Sequence, residues 1–212
     1  ADAILTKITA TTDYAQLDGA ELVIEAVFEN REIKADVTAK SEAVIASDAI
    51  FASNTSTLPI TGLAEASERP ANFIGLHFFS PVDKMPLVEI ICGKETSQET
   101  LARSMDYVKA IRKTPIVVND SRGFYTSRVF GTYVNEGIAM LAEGVNPALI
   151  DNAGKMAGMP VGPLALADEV ALDLIYKIRN QTKADLGDKY IPSPSDDAVT
   201  KMVEDLGRVG KR

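Results

Sequence analysis

Cysteine is almost missing from this sequence. Among 212 residues there is one, Cys92, so no internal disulfide can staple the fold. It sits in the apolar run Leu87-Val88-Glu89-Ile90-Ile91-Cys92 and reads as a small buried apolar side chain. Such usage fits a reducing compartment, here the cytoplasm. No apolar run approaches the roughly 20 residues that cross a bilayer as a helix, so no membrane partner is expected. No secretory signal opens the chain. Positive charge is in deficit: 22 Lys and Arg face 30 Asp and Glu, a formal net charge of -8. An acidic surface repels phosphate backbones, which argues against nucleic-acid binding and leaves room only for a local basic spot toward an anionic cofactor. Histidine occurs once, as His77. There is no internal repeat and no low-complexity tract, and no metal site is expected.

What is present suffices for one large domain or two modest ones. Hydrophobic residues make up 46% of the chain, enough for a substantial core. The first part alternates short β-rich runs with helical patterns. Strands are expected at residues 4–9, within 20–28, at 49–53, 72–79, 87–92 and 116–118. Helices are expected from the cap Asn30 to about residue 46, over 58–66, and over 98–112, where Leu101, Met105, Val108 and Ile111 share a side. That alternation predicts a doubly wound α/β sheet. The pattern changes near Asp120-Ser121-Arg122-Gly123. Beyond it lie helical patterns only: 124–143 stopped by Gly144, one opened by Asn146-Pro147, a long one over 164–183, and a last one over 196–206. The expected division is therefore an α/β domain over 1–120 and a helical domain over 121–212.

Three groups of residues can carry chemistry. His77 lies near the end of a predicted strand, where ligands collect in open α/β sheets. Glu89 lies inside the next apolar strand, and a carboxylate there needs a partner. If the two strands are neighbours, Glu89 meets His77, fixes its tautomer and raises its basicity, as suits a general base. A core histidine bonded to a chance acid is the plainer alternative. The second group is the polar run Ser53-Asn54-Thr55-Ser56-Thr57, either a helix cap or a rim that bonds a cofactor ribose or a substrate oxygen. The third is Glu29 with Lys34, either solvated charges at a helix start or part of such a rim.

Taken together, residues 20–30, 50–58, 75–82 with 87–89, 120–128 and 154–173 resemble the 3-hydroxyacyl-CoA dehydrogenases, in order and spacing and over essentially the whole chain. The phrase Asp120-Ser121-Arg122-Gly123-Phe124-Tyr125-Thr126-Ser127-Arg128 is similar to the version in multifunctional fatty-acid oxidation proteins. The resemblance implies NAD as cofactor and L-3-hydroxyacyl-CoA as substrate, oxidised to the 3-ketoacyl-CoA. It implies His77 as catalytic base, Glu89 as its orienting acid, and Ser56 beside the nicotinamide and the substrate oxygen. Val27, Glu29 and Lys34 would line the ribose and nicotinamide side. It further implies a homodimer or a place in a larger multifunctional complex.

Three departures accompany the resemblance. Ser80 stands where the family usually has Asn after His-Phe-Phe, and Ser127 replaces the usual Asn of the Gly-Phe segment. Both keep a hydrogen-bonding group with shorter reach. No G-x-G-x-x-G follows any early strand, although that loop and the helix after it receive the cofactor pyrophosphate in the family. The chain is thus expected to be an incomplete Rossmann-type sheet that begins just before the third strand of the fold, with both ends cut from something longer. Residues 4–9, having lost a neighbour, should pair with the edge strand within 22–27, pair with another chain, or be irregular. An inactive folding or dimerisation module is the alternative to an enzyme.

Overall fold

The computed structural model describes residues 5–211. They form two compact units, divided after Ser127.

In the first unit the sheet is five-stranded, ordered β1 (Leu22–Glu25), β2 (Ile50–Ser53), β3 (Phe73–Phe78), β4 (Leu87–Cys92) and β5 (Thr114–Val118). β1, β2 and β3 are parallel, and helices α1 (Arg31–Glu42) and α2 (Ile60–Ala64) lie between them in the chain. Helical crossovers return the chain to the same end of a sheet, so parallel pairing follows. β3 and β4 are joined by residues 79–86 with no helix between, and they are antiparallel. Helix α3 (Gln98–Ala110) then restores parallel pairing between β4 and β5.

Strand side chains alternate between faces, and here both faces are dry. On one, Phe51, Phe73 and Ile91 pack with Ile60 and Leu63 of α2 and with Phe124. On the other, Ile50, Ala52, Ile74, Leu76, Val88 and Ile90 pack with Val108, Leu101 and Met105 of α3. Burial on both faces explains why these strands are runs of apolar residues rather than alternating ones. Gly75 is required by close approach. A Cβ there would meet Ile60 Cδ1 at 2.8 Å, so α2 sits directly on the β3 backbone.

The expected strand over residues 4–9 is not found. Ile4 lies outside the described residues; Leu5 is helical, Thr6 and Lys7 form a turn in which Ile8 N donates to Leu5 O at 3.1 Å, and Ile8 and Thr9 have no regular structure, with Leu5 62% and Ile8 65% exposed. A β-prone run gains nothing without a partner ladder, and among the described residues β1 pairs on one side only, with β2. Residues 5–9 do not pair with β1; a turn stands where a strand was expected.

The second unit is helical among its described residues. Helix α4 (Thr126–Ala142) contains the unit boundary and is followed by α5 (Pro147–Met156), α6 (Pro163–Val170), α7 (Leu172–Leu186) and α8 (Ser195–Thr200). Pro147 opens α5 behind Asn146, whose side chain accepts from Ala148 N at 2.9 Å. Val134, Ile138, Ala167, Leu172 and Val199 form the core. The single helix expected over 164–183 is in fact two, broken at Ala171 with φ 80°. The C-terminal tail causes the break to be tolerated: Lys211 N donates to Asp168 O at 2.8 Å, satisfying a carbonyl that a continuous helix would bond itself. Among the described residues no helix is long and apolar enough to cross a membrane.

Candidate active site

The first cluster grows directly from strand register. Phe73, Gly75 and His77 share one face of β3 by alternation, and Glu89 and Ile91 share one face of β4. The antiparallel ladder sets His77 opposite Glu89. Directly opposed side chains are close enough to bond, and His77 Nδ1 lies 2.7 Å from Glu89 Oε2. His77 is 7% exposed and Glu89 0%. The imidazole ring is flanked by Phe79, with centroids 4.4 Å apart, and by Phe124 at 6.1 Å.

Glu89 collects further donors. Oε1 accepts from Tyr125 N at 3.1 Å and Thr126 N at 2.8 Å, and Oε2 from the Thr126 hydroxyl at 2.8 Å. Burial pushes this carboxyl up, but the bonds from His77 and Thr126 outweigh it and hold the group below its ordinary range. An ionised Glu89 is an acceptor only. The proton in the bond to His77 therefore belongs to Nδ1, and the lone pair of the neutral ring is on Nε2.

The second cluster occupies the carboxyl ends of β1 and β2. Glu29 accepts from Thr55 Oγ1 at 2.9 Å, from Ser56 N at 2.8 Å and from Ser56 Oγ at 3.2 Å. Its side chain remains 40% exposed, which leaves lone pairs open to a hydroxyl donor. Thr55 Oγ1 also accepts from Leu58 N at 3.0 Å, so the polar run is both a turn cap and a rim. Asn54 Oδ1 accepts from Phe78 N at 2.8 Å and ties the ends of β2 and β3 together.

Lys34 is not a solvated charge. It is 2% exposed, and its ammonium lies 2.9 Å and 3.0 Å from the two oxygens of buried Glu25. Ser53 Oγ and Val27 N also donate to Glu25. Lys34 reaches Glu29 Oε2 at a longer 3.6 Å. Val27 is half-buried beside this group. Ser80 is exposed just past β3, and Ser127 is half-buried in the first turn of α4. Among the described residues no hydrogen bond joins either serine to the His77–Glu89 pair. The chain contains no group of His, Cys, Asp and Glu among the described residues that could hold a metal.

Reasoning from the sequence missed Glu25, Thr126 and Asp120. Glu25 was visible as an acid at the end of an apolar run, the same signal that marked Glu89. Asp120 accepts from Ile60 N at 2.7 Å and Thr61 N at 2.8 Å, thereby capping α2 from a distant part of the chain. Nothing local announces that.

The donor set at the rim suits the ribose and nicotinamide side of a dinucleotide. Glu29 offers a carboxylate to ribose hydroxyls, and Ser56 offers a hydroxyl oxygen. For the pyrophosphate the sequence has no G-x-G-x-x-G.

Comparison with known proteins agrees with this chemistry. Residues 1–121 match the family model for the 3-hydroxyacyl-CoA dehydrogenase NAD binding domain, and residues 123–212 match that for the C-terminal domain. The fatty acid oxidation complex subunit alpha of Shewanella halifaxensis is 44% identical over 189 residues, 89% of this chain. The chain spans only 27% of that relative. Among solved structures, (S)-3-hydroxybutyryl-CoA dehydrogenase PaaH1 from Ralstonia eutropha superposes with a TM-score of 0.90 at 36% identity, covering 99% of this chain and 74% of that one. FadB2 of M. tuberculosis gives a TM-score of 0.88 at 34% identity, with the same two coverages, 99% and 74%. The sheet, the polar rim and the buried acid–imidazole pair thus sit in a chain that belongs to the 3-hydroxyacyl-CoA dehydrogenase family.

Proposed function

We propose that this chain carries the NAD-dependent oxidation of L-3-hydroxyacyl-CoA to 3-ketoacyl-CoA in fatty-acid β-oxidation. The observation that carries the reading is the 2.7 Å bond from His77 Nδ1 to a buried, multiply bonded Glu89. It leaves Nε2 as the free basic atom at the carboxyl edge of the sheet. His77 Nε2 takes the proton of the substrate 3-hydroxyl, and Glu89 stabilises the imidazolium that forms. NAD, when bound, supplies the hydride acceptor. Ser56 Oγ, donating to Glu29, presents its lone pairs outward and accepts from the substrate hydroxyl or the nicotinamide amide. Glu29 holds the ribose, with Val27 beside it and Lys34 acting through Glu29. Ser80 lines the cofactor side, and Ser127 orients the substrate. Residues 1–120 serve as the cofactor domain and 121–212 as the helical domain.

A purely architectural module gives no reason to bury an imidazole against a carboxylate that four donors keep charged. The chain acts in the cytoplasm, as part of a larger multifunctional protein or a homodimer. The second unit offers apolar surface for self-association on α5, where Leu149 is 61% and Met156 88% exposed. The test is His77→Gln, measured by NADH formation and NAD titration. Turnover should fall by about two to four orders of magnitude, the scale of lost general-base catalysis, while NAD affinity holds. A variant that keeps most of its turnover removes His77 from the mechanism.

A further inference from the structure

The Glu89 carboxylate receives more than its histidine. Phe124 adopts a left-handed backbone with φ 45°, a conformation that costs energy for a bulky residue. Directly after it, two successive amides, those of Tyr125 and Thr126, point at Oε1. The Thr126 hydroxyl turns to the other oxygen, Oε2, at 2.8 Å. Oε2 is also the oxygen that holds His77 Nδ1, at 2.7 Å. One carboxylate oxygen is therefore shared between the histidine and a threonine hydroxyl.

Sharing has an electronic consequence. Each donor on a carboxylate oxygen draws off some of the negative charge that would otherwise stabilise a protonated ring. Among the described residues the imidazole bonds Glu89 from β4 and has ring contacts with Phe79 after β3 and Phe124 before α4, with Thr126 one bond further through Glu89. Of these groups Glu89 carries the charge, so whatever bonds to Oε2 acts on His77 through it. The amides fix Oε1, and the hydroxyl is the side-chain donor that completes Oε2.

On the reading that His77 is the base, we propose that Thr126 is a positioning residue whose hydroxyl aims Glu89 Oε2 at His77 and tempers the proton affinity of the pair. A threonine that merely began α4 would need its hydroxyl for nothing more than solvent or a helix cap. Here the helix start is satisfied by Glu89 accepting the Thr126 amide, and the hydroxyl is spent on the oxygen that faces the histidine.

The sequence supplies a direct reporter, because His77 is its single histidine. Imidazole ¹⁵N resonances of the chain follow that ring alone and need neither cofactor nor substrate. Thr126→Val keeps the shape and the backbone amide and deletes the hydroxyl; Thr126→Ala serves the same purpose if the valine variant misfolds. Either should move the His77 titration upward by about half a unit to one unit, since Oε2 becomes more negative and favours the imidazolium. Thr126→Ser should restore the parent titration. The acid limb of the activity profile should move in the same direction as the resonance. A titration unmoved in both the valine and alanine variants, beside an inactive His77→Gln, overturns the role of Thr126 and leaves the base intact. A His77→Gln protein that turns over normally overturns both.

Discussion

Lys34 offers the sharpest quantitative test of the fold, because its pattern fits a solvated charge at a helix start and it is instead buried. Lys34→Met removes the ammonium and keeps most of the stem. The Glu25 carboxylate then retains Ser53 Oγ–H and Val27 N–H and loses contacts of 2.9 Å and 3.0 Å to its counter-ion. At 2.9 Å the gross attraction is about 6 kcal/mol for an effective dielectric of about 20. Relief from desolvating the lysine returns part of that. Breaking one side of a buried pair typically costs about 3–5 kcal/mol, because the remaining charge has no partner. Glu25→Gln should cost less, since the ammonium keeps Glu29 Oε2 at 3.6 Å and Val27 O at 3.4 Å. The double variant Glu25→Gln/Lys34→Met should recover at least about 2 kcal/mol relative to the sum of the singles, because neither charge is then stranded. Urea unfolding followed by far-ultraviolet circular dichroism measures all four proteins. A Lys34→Met cost under about 1 kcal/mol, or strictly additive singles, would refute the buried-pair reasoning. A large loss of NAD affinity with unchanged stability would instead return Lys34 to the solvated rim.

The site and the sheet each lead to further outcomes. Glu89→Gln should lower turnover and carry the acid limb of the rate profile to lower pH, because the imidazolium loses its carboxylate; a profile that does not move would break the pairing. The same carboxyl is held below its ordinary range when folded, so its contribution to stability is present above the unfolded carboxylate range and is lost as pH falls through the depressed folded value. Acid titrations of unfolding should therefore be shallower for Glu89→Gln than for the parent. Gly75→Ala places a Cβ 2.8 Å from Ile60 Cδ1 and 3.0 Å from Ile91 Cβ, and should cost about 1–3 kcal/mol by overpacking. Ile60→Val in that background should recover part of the loss, and no recovery would mean that α2 does not rest on β3 as described.

The sheet and the acid–imidazole pair were legible because their signals are local. Glu89 is conspicuous as a charge in an apolar strand, and period-two alternation puts it and His77 on faces that register can join. The helical half was legible in type for the same reason, with Asn146-Pro147 marking the start of α5. What escaped depends on residues far apart in sequence. Asp120 caps α2 across a long separation, Thr126 meets Glu89 only once the chain returns to the sheet, and the helix break at Ala171 leaves Asp168 O to be met by the C-terminal tail. The short run before Thr9 failed differently: β propensity describes fitness for a pleated surface, and no partner strand supplies one.

The ladder between β3 and β4 sets when the His77–Glu89 pair is made, the pair that on the proposed function transfers the proton. His77 and Glu89 face each other across backbone-paired strands rather than across a cleft. No hinge can part them without unzipping the sheet, and a slip of one residue would send one partner to the opposite face. The acid and the base are therefore assembled at the moment the chain folds, before any ligand arrives. On the proposed function, adjustment to a ligand is then left to the softer parts of the edge: the half-exposed Glu29 carboxylate, the Ser56 hydroxyl and the exposed Phe28 side chain beside Glu29.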